Sequence, residues 1–279
     1  MTEPRSKFAG GDQGYLRDEQ YRTSDRLATR AGLHEKYSTS AVNWFDWVSQ
    51  SFGLRPSASV LEVGCGAGWL WQAGGVAVPD DVTLTLTDLS PGMVGEAVER
   101  VTTAGRLASV TGEPADAQAL PFATSSFDRV IANHMLYHLP DPARGVAELA
   151  RVLRRDGRAI VATNGQRHLE ELWTIRREVF GPTLTNDIVE NFGIDTAFPV
   201  LRQHFGSVGW HAFDDQLRCT DPADVVDYIC SIPPAETATP DEHSAIEAAV
   251  ARAFADGDGT MTISKDTGCF VCTDPRPTT

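Results

Sequence analysis

Positive charge is what this chain most lacks. Its 279 residues carry 24 Lys and Arg against 38 Asp and Glu, a formal charge of −14, with a pI near 4.8. That balance repels phosphate backbones, so no nucleic-acid partner is expected. The only dense basic run, Arg151, Arg154 and Arg155, falls at an expected helix C-terminus, where cations complement the helix dipole. Long apolar runs are also missing: none approaches the roughly 20 residues of a membrane span, and no membrane partner is expected. The opening Met1-Thr2-Glu3-Pro4-Arg5-Ser6-Lys7 has no apolar stretch of the secretory kind, which points to a cytoplasmic protein. Cysteine is sparse. The five are odd in number and scattered, which suits a reducing compartment. Cys269 and Cys272 spell C-x-x-C, but in an extended strand they point to opposite faces and no second pair or His set completes a site, so no metal is expected.

Against these absences stands one organised stretch, Val60-Leu61-Glu62-Val63-Gly64-Cys65-Gly66-Ala67-Gly68. Val60 to Val63 read as a buried parallel strand, and the alternate glycines mark a turn where backbone and a ligand can approach closely before a helix begins. A G-x-G-x-x-G dinucleotide fingerprint would need its third glycine at Trp69, which argues against a pyrophosphate ligand. The alternative is a Gly-rich turn with no ligand. Thr83 to Thr87 form a second strand ending in Asp88, about 20 residues past the turn, where a Rossmann-like sheet puts a carboxylate against ribose hydroxyls. Ser90 and Pro91 then open a helix.

The string Glu62-x-Gly64-x-Gly66-x-Gly68 resembles motif I of the class I S-adenosylmethionine (SAM) dependent methyltransferases. Ala115-Asp116-Ala117 resembles their adenine-reading segment, and Phe127 to Asn133 their fourth strand, running into His134-Met135-Leu136-Tyr137-His138. Tyr21-Arg22-Thr23-Ser24 with Arg30 and Leu33 to Ser38 resembles the N-terminal lid of a bacterial, small-molecule branch associated with specialised metabolism. The resemblance implies SAM as cofactor and a cofactor set of Tyr21, Arg30, Glu62, Gly64, Cys65, Gly66, Gly68, Asp88, Leu89, Met93, Asp116, Ala117, Asn133 and His134. It puts His34 near the cofactor as well. The competing reading has Tyr21 and His34 merely packing and Arg30 pairing with a surface acid.

The expected fold is α/β: a Rossmann-like, seven-stranded, mostly parallel sheet with an antiparallel last strand, plus a helical lid and cap. The expected division is a lid over 1–53, a SAM-binding core over 54–164, a helical cap over 165–207, and 208–279 completing the sheet. Caps are read at Ser24, Ser40, Asp141-Pro142, Asp221-Pro222 and Thr239-Pro240-Asp241-Glu242. A helix is expected from Trp69 to Val78, weakened by Gly74 and Gly75, and another running to Gly157. Val208 to Leu217 reads as the sixth strand, and Met261 to Thr273 as one strand closing the sheet edge.

SAM supplies a sulfonium methyl for in-line attack, so the protein's task is to hold two reactants at near-attack distance in a dry site. A base helps where the nucleophile begins as an alcohol, phenol, ammonium or acidic C–H. His138 and His134 are the candidates, sharing a face if their segment is helical. Tyr15, Tyr137, Trp173 and Phe198 are expected at the substrate, three of them as aromatic faces for a cation. The function expected is methyl transfer to N, O or C of a small molecule, and a homo-oligomer is compatible with the sequence. Two alternatives stand beside it: an NAD(P)-binding oxidoreductase, opposed by Trp69, and a SAM-binding regulatory protein without turnover.

Overall fold

The computed structural model describes residues 7–72 and 75–277. The far N-terminal end and Gly74 lie outside the described residues. In chain order the elements are α1 (Gln13–Tyr15), α2 (Asp25–Tyr37), α3 (Trp44–Ser49), β1 (Ser59–Val63), α4 (Trp69–Gln72), β2 (Thr83–Asp88), α5 (Pro91–Ala104) and β3 (Ser109–Pro114). There follow β4 (Phe127–Asn133), α6 (Pro142–Val152), β5 (Leu153–Asn164), α7 (Glu170–Phe180), α8 (Asp187–Phe192), α9 (Ile194–His204) and β6 (Phe205–Phe213). The chain ends in β7 (Gln216–Cys219), α10 (Pro222–Cys230), α11 (Pro240–Asp256), β8 (Met261–Ser264) and β9 (Thr267–Pro275).

Seven strands form one sheet in the order β3-β2-β1-β4-β5-β9-β6. The pairs from β3 to β5 are parallel, whereas β9 is antiparallel to both β5 and β6. The expected mostly parallel sheet with an antiparallel final strand is therefore present. Alternation along each strand builds two cores. Leu61, Val130, Val161 and Cys272 pack with α6 and α9 on one face. Val60, Ile131, Ile160 and Cys269 pack with α3, α4 and α5 on the other. Cys269 and Cys272 thus do face opposite sides.

A third core lies off the sheet. Leu33 and Tyr37 of α2, Leu172 and Ile175 of α7, Val225 and Ile229 of α10, and Ile246 and Val250 of α11 pack on the two-stranded β7–β8 ribbon. Most of 208–279 accordingly builds this cap, and only β6 and β9 complete the sheet. The single strand expected from Met261 to Thr273 breaks at Lys265-Asp266, where the chain passes from cap to sheet and Asp266 O accepts from Gly165 N–H at 2.7 Å. Its second half lies inside the sheet, and β6 is the edge. Val208 to Leu217 likewise divides at Asp214-Asp215 between the two sheets.

Local signals held where capping side chains decide. Asp141, Asp221 and Thr239 all accept from the first turns of their helices, and Glu242 closes the capping box at Thr239. They failed where a tertiary partner competes. Asn43 caps α3 by accepting from Asp46 N–H at 2.9 Å, while Ser40 donates its N–H to Asp215 across the cavity mouth. Helix α6 stops at Val152 because Leu153 already pairs with Phe127. The helix begun at Trp69 does not extend to Val78: Gly75 is in a turn, with its N–H donated to Asp46 at 2.8 Å.

Candidate functional site

Parallel strands bring the carboxyl ends of β1, β2, β4 and β5 to one edge of the sheet, and the cap stands above it. Between them is a cavity of about 1140 Å³. At its floor Gly64, Gly66 and Gly68 have φ of 68°, 51° and 77°, the left-handed region that side chains disfavour. A Cβ on Gly64 would fall 2.6 Å from Met135 Cβ, and one on Gly66 would meet Leu27 of α2 at 3.3 Å. Gly68 differs. Its Cβ would overlap the α5 backbone at Ala97, 2.9 Å away, and Gly68 does not line the cavity. It brings α5 against the turn.

Two carboxylates flank the turn. Glu62 is buried and accepts from Trp71 Nε1–H at 2.6 Å. Burial pushes its carboxyl up to about 8, against the pull of that bond. Asp88 accepts from Gly66 N–H at 3.1 Å and Ser90 N–H at 2.9 Å, and burial raises it as well. Leu89, Met93, Asp116, Ala117, Asn133 and His134 continue the same wall, as do Tyr21 and Arg30 from the cap side. Asp116 receives Gln118 N–H at 2.9 Å, which fixes its carboxylate in a local turn. Cys65 also lines the cavity, its thiol held well above the usual range by burial.

The two candidate bases are not equivalent. His134 has φ of 56° and lies outside the single 3₁₀ turn Leu136–His138, so the two rings do not share a helical face. The His138 Nδ1 lies 2.7 Å from Phe8 O, which can only accept, so Nδ1 carries the proton. Nε2 then accepts from Tyr21 O–H at 2.9 Å. Both His138 nitrogens are occupied, and burial lowers its pKa to about 4. His134 packs against Trp44, with ring centroids 4.9 Å apart, and none of the hydrogen bonds among the described residues uses its ring. Burial and the nearby Lys265 lower it to about 3. Both rings are neutral at ordinary pH.

Of the four aromatics expected at the substrate, Tyr137 and Trp173 line the cavity. Tyr15 does not: its hydroxyl donates to Glu236 at 2.6 Å beneath the N-terminal turn. Phe198 is 37% exposed on α9, which packs on the far face of the sheet. It is therefore no part of this site. Arg30 is buried and makes no ion pair among the described residues, which removes the surface-pair reading of it.

His34, expected near the cofactor, lines the cavity, and several further lining residues had no sequence signal. His168 stacks on His34 at 6.2 Å, with Lys265 beside them in a buried 2.6 Å ion pair to Asp215. Arg176, Asn164 and Asn186 also face in. Eight buried side-chain atoms lack a hydrogen-bond partner among the described residues, and seven belong to cavity residues: Arg30, His34, Trp44, Asn133, Asn164, Arg176 and Asn186. Buried polar atoms left unpaired are costly, so this clustering marks a surface made to receive a polar ligand.

The sheet order and the site at its carboxyl edge define the class I, Rossmann-like methyltransferase fold. Residues 61–161 match the family described as a methyltransferase domain. Over 104 residues the chain is 38% identical to a malonyl-[acyl-carrier protein] O-methyltransferase of Hahella chejuensis, covering 37% of this chain and 36% of that relative. The chain thus spans about a third of the length of that curated relative. Among solved structures it resembles phosphoethanolamine N-methyltransferase 2 of Haemonchus contortus in complex with SAM, with TM-score 0.57, 17% identity, and coverage of 95% of this chain and 60% of that one. It also resembles the [4+2]-cyclase SpnF, with TM-score 0.58, 18% identity, and coverage of 96% and 99%.

Proposed function

We propose that the chain is a SAM-dependent methyltransferase that transfers the sulfonium methyl to an N, O or C atom of a small molecule. The observation that carries the reading is the fit of one amino-acid nucleoside to three neighbouring features: the glycine turn, Asp88 and the Asn133 end of β4. Asp88 suits ribose hydroxyls, since two of its lone-pair directions are spent on backbone N–H groups and others stay available. Asp116 and the Ala117 N–H suit an adenine edge. The cofactor's ammonium suits Glu62 and the unpartnered Asn133 Oδ1. Its carboxylate suits Arg30, one turn along α2 from the Leu27 that lies over Gly66. Bound there, SAM supplies an electrophilic methyl group, and the chain's own residues position and desolvate.

His134 is the proposed proton acceptor or orienting acceptor, because its ring is uncommitted. His138 instead holds Tyr21 in place. With a pKa near 3 His134 is a weak base, so positioning outweighs proton removal in this account. Division into a lid over 1–53, a cofactor-holding core and a helical cap belongs to the same proposal. The experiment is calorimetric titration of the full chain with SAM and with NAD, followed by mass-spectrometric turnover on phenols, amines and activated methylenes. We expect SAM and not NAD to bind, with Asp88→Ala weakening SAM at least about tenfold. Unchanged affinity in that variant would overturn the ribose assignment, and SAM binding without turnover on any acceptor would favour the regulatory alternative.

A further inference from the structure

The cavity holds two buried guanidinium groups, and the proposed cofactor, with its single carboxylate, engages only one of them. Arg176, on α7, is 4% exposed yet enters no ion pair among the described residues. One terminal nitrogen donates to Pro233 O, the guanidinium lies 4.1 Å from the Trp173 ring centroid, and Nε has no hydrogen-bond partner. Asp187 is the acid that acts on it from a distance, but that carboxylate takes a hydrogen bond from Thr185. Burial lowers the Arg176 pKa to about 10, which leaves it cationic at neutral pH. Arg30 donates to Ser231 O at 3.3 Å, two residues from the carbonyl that Arg176 uses, so both cations are tied to one loop. A carbonyl and an aromatic face orient a cation without neutralising it, and buried charges are rarely left so.

We propose that Arg176 is the anchor for a carboxylate on the methyl acceptor. The inference rests on the methyltransferase reading of the cavity and names its substrate class. The free Nε–H lies on the edge of the guanidinium that can pair with a carboxylate side-on. One unpaired cation matches one negative charge, which suits a carboxylate better than a phosphate dianion. Around it Leu172, Ile188, Val189, Ile229 and Ile232 line the cavity with apolar surface. The acceptor is accordingly an amphipathic acid: an apolar or aromatic body with one carboxylate, held by Arg176 and turned so that another atom of the body meets the methyl group.

The test is calorimetric titration of the full chain, saturated with S-adenosylhomocysteine, with acetate, phenylacetate and decanoate and with their matching primary amides. At least one acid should bind at least about tenfold tighter than its amide. Arg176→Leu should abolish that preference and Arg176→Lys should retain part of it. Circular dichroism and S-adenosylhomocysteine affinity, both expected unchanged, report that each variant is folded. If no acid is preferred over its amide, or if Arg176→Leu keeps the preference, the proposal is overturned. Failure of the wild type to bind SAM would sink the methyltransferase reading instead, and the acid-over-amide comparison, repeated without the nucleoside, would still decide the role of Arg176.

Discussion

At the scale of single residues, the account turns on protonation states set by burial. Glu62 normally ionises near 4.5 but is raised to about 8, so in the ligand-free protein it is largely protonated at neutral pH. An ammonium group brought beside it favours the carboxylate and expels the proton. Calorimetry of SAM binding at pH 7 in buffers of different ionisation enthalpy should therefore show net proton release in the wild type and none in Glu62→Gln. His138 makes a different prediction. Because its Nε2 is held by Tyr21, Tyr21→Phe should free that nitrogen, whereas His138→Gln should lower turnover through a displaced Tyr21 while SAM affinity changes less than in Asp88→Ala. His134→Ala should lower turnover with SAM affinity kept within about threefold.

Elements show why the glycines are not interchangeable. At Gly68 an added methyl meets α5 backbone, and φ is positive, so Gly68→Ala should destabilise the fold by about 2 kcal/mol, read as a lower urea midpoint. At Gly66 the contact is the flexible end of Leu27, so Gly66→Ala should cost less stability and more SAM affinity. Equal effects of the two variants on both readouts would remove the distinction. The sequence made the turn legible because its spacing is local, and it made Asp88 legible because strand ends follow one another at fixed offsets in a parallel sheet. It did not reveal that Gly68 packs against Ala97, a contact that spacing does not carry. Tyr15 and Phe198 were misplaced for a related reason: an aromatic at helical spacing reads alike whether its helix covers the cavity or the opposite face. Arg176 was invisible as a lone helix cation, although its i,i+3 relation to Trp173 was a usable hint that both share a face.

For the whole molecule, the cap is the part the sequence resolved least. It is assembled from α2, α7, β7, β8, α10 and α11, so no contiguous segment announces it. The buried histidines around the cavity tie stability to pH. His138 is lowered to about 4 through burial and the nearby Arg30, and His34 and His134 to about 3, and His168 well below its usual value, through burial, Lys265 and neighbouring rings. In the unfolded chain these rings take up protons below about 6.5. Below that value the unfolded state binds more protons than the folded one, so stability falls as pH falls. Glu62, raised in the folded state, works the opposite way between 4.5 and about 8, and the raised Asp88 acts in the same sense. Four rings outweigh two carboxyls, and the urea midpoint should drop from pH 6.5 to 4, less so in His168→Asn. A flat profile would mean that the rings are solvated.

The most direct measurement is a crystal structure of the protein with S-adenosylhomocysteine. The account predicts the ribose at Asp88, the adenine against Asp116 and Ala117, and the amino-acid end between Glu62, Asn133 and Arg30, with the sulfur turned toward His134 and Arg176 left for the acceptor. A nucleoside bound outside this cavity, or one whose ribose lies away from Asp88, would contradict it.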